Sequence, residues 1–288
     1  MSSQAIPVPE RRRVRGPSAL GSDPRRFFQL TLTLAITDFK LKFFDSVLGY
    51  LWQLMKPLLL FGVLYVVFVQ WVRLGGESVA HYPVVLLTGL VTYMFFAAAT
   101  GGCVRAVLNR EALVRKIEFP RLVIPLTVVL VASFDLLLNF VAVFVFVLAN
   151  GVEPRLSWLE LPLLLLAVGV LATGCGMLVS ALFVRYRDVE PIWEVFLQML
   201  FYGSPILYPI ELVADHGGED VQQAMMLNPL AAILQQMRHA VIDPGAMSAA
   251  EAAGGWQWLL VPAGIIVGVF ALGFWVFNRE APRIAEEL

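Results

Sequence analysis

Five stretches of the chain carry no Asp, Glu, Lys or Arg: Pro57 to Val72, Tyr82 to Val104, Leu161 to Val184, Val195 to Ile210 and Trp256 to Asn278. A sixth, Leu122 to Asn150, is interrupted only by Asp135. At about 1.5 Å per residue a helix needs roughly 20 apolar residues to cross the hydrocarbon core of a bilayer. Six such runs leave little room for anything but a membrane domain. Composition agrees, with 59% hydrophobic residues, 15% charged residues and a mean hydropathy of +0.76, far from the make-up of a soluble domain. The expected fold class is an all-α integral membrane protein with six transmembrane helices. The first run is short, so its helix is expected to begin near Val47 and to contain Lys56 and Pro57. The fifth is short and holds Pro205 and Pro209, which predicts a bent or broken end.

Basic residues set the orientation. Of the 21 Lys and Arg, all but Arg73, Arg155 and Arg238 fall before the first run, between the second and third, between the fourth and fifth, or after the sixth. That asymmetry places both termini in the cytosol. Residues 1–23, rich in Pro, Ser, Gly and Arg and lacking an apolar core, read as a disordered cytosolic tail rather than a secretory signal. Residues 24–45 read as an amphipathic helix on the membrane surface, with Phe28, Leu32, Ile36, Phe39 and Phe43 on one face and Asp38 paired with Lys42 at i,i+4. Residues 46–279 form the six-span domain and residues 280–288 a short cytosolic tail.

Between the second and third runs lies RAVLNREALVRKIEF, Arg105 to Phe119, which reads as a helix to Glu118, stopped by Phe119 before Pro120. Such a helix is longer than a plain connection requires, which points to a docking element. A solvated loop that only sets topology would carry the same charges. Between the fifth and sixth runs, Asn228 followed by Pro229 is a helix start, and Asp243, Pro244 and Gly245 are its stop. That helix is too short to span, and with Pro205 and Pro209 it predicts re-entrant or gate-like short helices.

Signatures of chemistry are missing from the sequence. It has no G-x-x-x-x-G-K-[ST], no H-E-x-x-H, no G-x-S-x-G and no C-x-x-C. His81, His216 and His239 lack ligand spacing, so no metal site is expected, and Cys103 and Cys175 read as small buried hydrophobes. Lys56 and Asp135 are the ionisable groups inside spans, and two readings of Lys56 stand open: contact with an anionic substrate, or snorkelling to head groups. Asp135 with Asn139 is a candidate interhelical polar contact.

Four segments taken in order resemble the membrane subunit of type 2 ABC exporters, most nearly the branch that moves O-antigen, galactan, teichoic acid or capsule chains on a polyprenyl carrier. They are KFFDSVLGYLWQLMKPLL, FVRYRDVEPIW, PILYP and the later NPL with Arg238, within a similarity running from about Phe27 to Asn278. The resemblance implies a homodimer in a bacterial cytoplasmic membrane. Two copies of a separate ATP-binding subunit would complete it and carry the ATP and magnesium, so that this chain is no enzyme and needs no cofactor of its own. It implies a coupling helix at Arg110, Glu111, Arg115, Lys116 and Glu118, and a second cytosolic contact at Arg185, Arg187 and Asp188. It further implies a channel for a lipid-linked glycan, lined by candidates among Tyr50, Trp52, Lys56, Tyr65, Phe196, Phe201, Tyr202 and Tyr208, since sugar rings pack on aromatic faces. Pro205, Pro209, Asn228, Pro229 and Arg238 would build the outer gate. Membrane lipids are expected partners and nucleic acid is not. Drug- or lipid-exporting permeases of the same family are the nearest alternative, and a membrane-embedded glycosyltransferase is a more remote one.

Overall fold

The computed structural model describes residues 23–44, 49–72, 81–111 and 120–281, with Tyr50 described by its backbone alone. These residues are helical throughout, joined by turns, with no strand among them. Helix α1 is Pro24–Lys42, α2 Gly49–Leu64, α3 Tyr82–Val104, α4 Val123–Ala149 and α5 Leu161–Arg185. Helix α6 is Val189–Tyr202, followed by the short helices α7 Ile210–Gly217, α8 Glu219–Met226, α9 Pro229–Met237 and α10 Ala249–Ala252, and by α11 Leu260–Glu280. Helix α2 continues as a π-helix over Tyr65–Trp71, and it runs straight through Pro57. The proline supplies no N–H to the Gln53 carbonyl one turn back, which leaves that carbonyl without its helical donor.

Among the described residues, five helical stretches are long and apolar enough to cross a membrane: Leu51–Trp71, Tyr82–Val104, Val123–Ala149, Leu156–Arg185 and Trp256–Glu280. The run expected as the fifth crossing behaves differently. Its helix, α6, has 14 residues, about 21 Å at the helical rise and short of the roughly 30 Å of hydrocarbon. It ends at Gly203 and passes into a non-helical segment holding the buried Pro205 and Pro209, the broken end that two prolines predict.

The core is built around α3, whose buried residues encircle the helix and which packs on α4, α5 and α6. Helices α5 and α11 meet through Gly174 and Gly273. A Cβ on Gly273 would run into the Gly174 carbonyl, and one on Gly174 would lie 2.7 Å from the Phe270 backbone. This is the small-residue contact that lets apolar helices approach where no hydrophobic drive exists between them.

Helix α1 runs beside the first half of α4, in the same direction. Phe27 and Leu30 pack on the cluster containing Val123, Ile124 and Phe277, and farther along Phe39 meets the Phe134 ring at 5.5 Å. The side buried against the protein carries Thr31 and Ala35. Phe28 and Ile36, from the stripe expected to anchor the helix, are exposed, so that stripe divides: Phe39 packs on the protein while Phe28 and Ile36 face where lipid would lie.

Candidate functional site

Three cytosol-predicted segments gather at one end of the bundle. Helix α3 ends at Val104, and Arg105 then reaches across to the first turn of α6, donating from Nε and Nη2 to the two carboxylate oxygens of Glu190, both at 2.6 Å. Such a fork holds two segments in one mutual orientation. The hydrogen bonds from Arg105 hold the Glu190 carboxyl below the usual glutamate range. Arg110 donates to Asp38 of α1. Arg187 lies 5.0 Å over the Phe183 ring, and Arg185 5.4 Å over that of Tyr186. Arg185, Arg187 and Asp188 are all exposed, as a docking surface requires.

The connection expected as one continuous helix from Arg105 does not begin as one. Residues 105–107 form a turn and Leu108–Arg110 a 3-10 helix, with helix resuming at Glu111. Ala106 and Val107, neighbours in sequence, are both buried in the cluster with Ile124 and Met177. Arg105 and Arg110 meanwhile reach partners on different helices. Arg115, Lys116 and Glu118 lie outside the described residues.

Farther into the bundle, α2, α3 and α4 enclose a polar cavity of about 70 Å³ lined by Gln53, Lys56, Asp135 and Asn139 among apolar neighbours. Asp135 is 8% exposed and Asn139 9%. Lys42, at the end of α1, donates to Asp135 Oδ2 at 2.5 Å. The other carboxylate oxygen and the Asn139 side-chain oxygen have no hydrogen-bond partner among the described residues. Asp38 and Lys42, expected to pair with each other along α1, instead each pair with a different element. A partner held in place by packing displaces an exposed i,i+4 pair worth only a few tenths of a kcal/mol.

The aromatic candidates fall into two sets. On α2, Trp52 is exposed and Tyr65 packs 5.8 Å from Phe61, while Tyr50 sits in the first turn. On α6, Phe196 stacks on Trp193 at 4.9 Å, Phe201 contacts Tyr93 and Tyr202, and Tyr208 donates from its hydroxyl to the Tyr202 carbonyl at 2.7 Å. No ring contact joins the two sets among the described residues. Helix α6 buries none of its residues, and Ile192, Val195, Phe196 and Met199 stand exposed on it.

At the opposite end, Asn228 caps α9, accepting from Leu230 N–H at 3.0 Å, with Pro229 in the first turn. Its amide also donates to Ser204 Oγ at 2.9 Å, tying the cap to the break beside Pro205. Arg238, 4% exposed, donates to Glu211 at 2.7 Å and ties the end of α9 to α7. Sequence reasoning placed Arg105 and Glu190 in the two cytosolic segments without their pairing, and it missed Asp38, Lys42 and Glu211 as site residues. Their partners lie 27 or more positions away, and no local pattern reports such a pair.

The fold defines a multi-pass helical membrane protein with a basic, ion-paired end and a proline-broken opposite end. Residues 29–242 match the ABC-2 type transporter family model, and the chain belongs to that family. It is 28% identical over 264 residues to the O-antigen export system permease protein RfbA of Klebsiella pneumoniae, covering 91% of this chain and 95% of that one. It is 25% identical over 205 residues to the protein of the same name from Myxococcus xanthus, covering 71% and 77%. It is 22% identical over 224 residues to the polysialic acid transport protein KpsM of Escherichia coli, covering 75% and 81%.

Proposed function

We propose that this chain is the permease subunit of an ABC exporter that moves a lipid-linked polysaccharide outward across a bacterial cytoplasmic membrane. The observation that carries the reading is similarity over 95% of the length of an O-antigen export permease, which leaves little of that relative without a counterpart. Two copies of the chain enclose the path, and two copies of a separate ATP-binding subunit supply the energy. Helix α6 with the segment through Pro209 is the fifth of six crossings, its missing length made up by non-helical backbone that neighbouring protein covers. Both termini, residues 105–120 and residues 185–190 then face the cytosol, in keeping with the distribution of basic residues.

In this arrangement the exposed Arg185, Arg187 and Asp188, with Arg110 to Glu118, receive the ATPase. Arg105 and Glu190 hold the two docking segments at fixed separation, so a push on one moves the other. The exposed aromatic rows of α2 and α6 line the path, offering ring faces to sugar C–H groups while hydroxyls stay hydrated. The capped helix α9 and the Arg238–Glu211 pair brace the outer exit.

The test is purification after co-expression with a candidate ATP-binding subunit from the same organism. A stable complex with equal numbers of the two subunits is expected, and charge reversal at Arg185 and Arg187 should lower ATPase turnover or release the partner. A permease that purifies without any nucleotide-binding protein and exports unaided contradicts the reading.

A further inference from the structure

Asp135 is a buried carboxylate with one oxygen occupied and one bare. Lys42 of α1 holds Oδ2, while Oδ1 has no partner among the described residues and the residue lines a polar cavity whose wall includes Lys56 of α2. Lys56 has no carboxylate within ion-pair distance among the described residues. Helix α1 carries a second ion pair one turn earlier, Asp38 with Arg110, at the start of the proposed coupling segment. A helix is stiff over one turn, so whatever displaces Arg110 also displaces Lys42. The outward side of α1 mixes Phe28, Ile36 and Leu41 with Gln29, Thr33 and Lys40, and none of these makes an ion pair among the described residues. Once Lys42 withdraws, Asp135 is an uncompensated buried charge, which is strongly unfavourable. The four-carbon stem of Lys56 gives its ammonium the reach to answer it across the cavity.

We propose that Asp135 is a two-position charge lock: Lys42 of α1 holds it in the state seen here, and Lys56 of α2 takes it over when α1 moves. The handover transmits displacement of the cytosolic segment to the helix that carries Trp52 and Tyr65. Asp135 is thereby a positioning residue and touches no glycan. The lock rests on the export reading for its consequence, while its geometry is tested without export.

A membrane-permeant carbodiimide condenses a carboxylate with an amine in contact with it, and peptide mass spectrometry identifies the pair. In the wild-type chain in lipid nanodiscs the expected product is the Lys42–Asp135 amide. In Lys42→Ala, a change at a partly exposed side chain, the Lys56–Asp135 amide should appear at least tenfold above its wild-type level. Its absence there overturns the handover, whatever the chain exports. For the consequence, the double variant Lys42→Asp with Asp135→Lys keeps the first pair but opposes Lys56 with like charge. Export should fall below a tenth of wild type, and adding Lys56→Asp should restore it. A double variant that exports as wild type makes the pair a static brace and overturns the lock. Wild-type protein that does not export sinks the functional reading and leaves the carbodiimide result to decide the lock.

Discussion

At the scale of single residues, ion pairs between distant segments fix the architecture, and their worth depends on burial. Arg238 is almost fully buried while its partner Glu211 is partly open. Removing the carboxylate leaves a guanidinium without charge compensation, whereas removing the guanidinium leaves a glutamate that water can reach. Glu211→Ala should therefore cost about 3 kcal/mol of stability and Arg238→Met clearly less, read as thermal unfolding in detergent. The reverse order would contradict this account of the pair. The Arg105–Glu190 fork is solvent-facing and salt-screened, and its effect is best read by titration. Because the native carboxyl sits below its ordinary 4.5, the fork contributes fully above that value. Its contribution fades as pH falls through the lowered native one. Arg105→Gln should return the Glu190 titration, followed by the infrared carboxylate band, toward 4.5. An unmoved titration would show that Arg105 does not set it. None of these pairs was legible in the sequence, since charge spacing reports only neighbours along one helix. It pointed instead to Asp38 with Lys42, a pairing that the tertiary partners Arg110 and Asp135 replace.

At the scale of elements, apolar length carried most of the information. The helices α3, α4, α5 and α11 stand where charge-free runs of sufficient length predict them, and Asn228 with Pro229 opens α9 as cap chemistry demands. Asn228→Ala removes the cap and the bond to Ser204 together, so a loss of at least about 1 kcal/mol is expected, again as thermal unfolding. A neutral result would mean that the break beside Pro205 is held by packing alone. The connection after α3 departs from the expected helix at its start, where Ala106 and Val107 are both buried in a turn, a tertiary contact that local charge spacing does not report. The α5–α11 contact was equally invisible, because Gly174 and Gly273 lie far apart in two runs that contain other glycines. Gly273→Ala should separate those helices at a cost of about 1–3 kcal/mol. Gly268→Ala, where a Cβ meets nothing, should be neutral. Equal effects would refute the close approach.

At the scale of the whole molecule, the chain is, on the proposed reading, one of two walls of a passage. Helix α6 has no fully buried residue within the protomer, and on that reading its exposed apolar residues face the path or a second copy. The class of protein was legible because hydropathy and loop charge are summed over hundreds of residues. The glycan was not, because aromatic side chains look alike in sequence whether they meet lipid, protein or sugar. The most direct measurement reconstitutes the permease with its ATP-binding partner in proteoliposomes that carry lipid-linked polysaccharide in the cytosol-facing leaflet. The fraction of glycan that becomes accessible to a glycosidase on the opposite side is then followed. The account predicts ATP-dependent exposure that needs both subunits and is lost when the partner cannot hydrolyse ATP. Exposure at the same rate without ATP, or ATP hydrolysis by this chain alone, would contradict it.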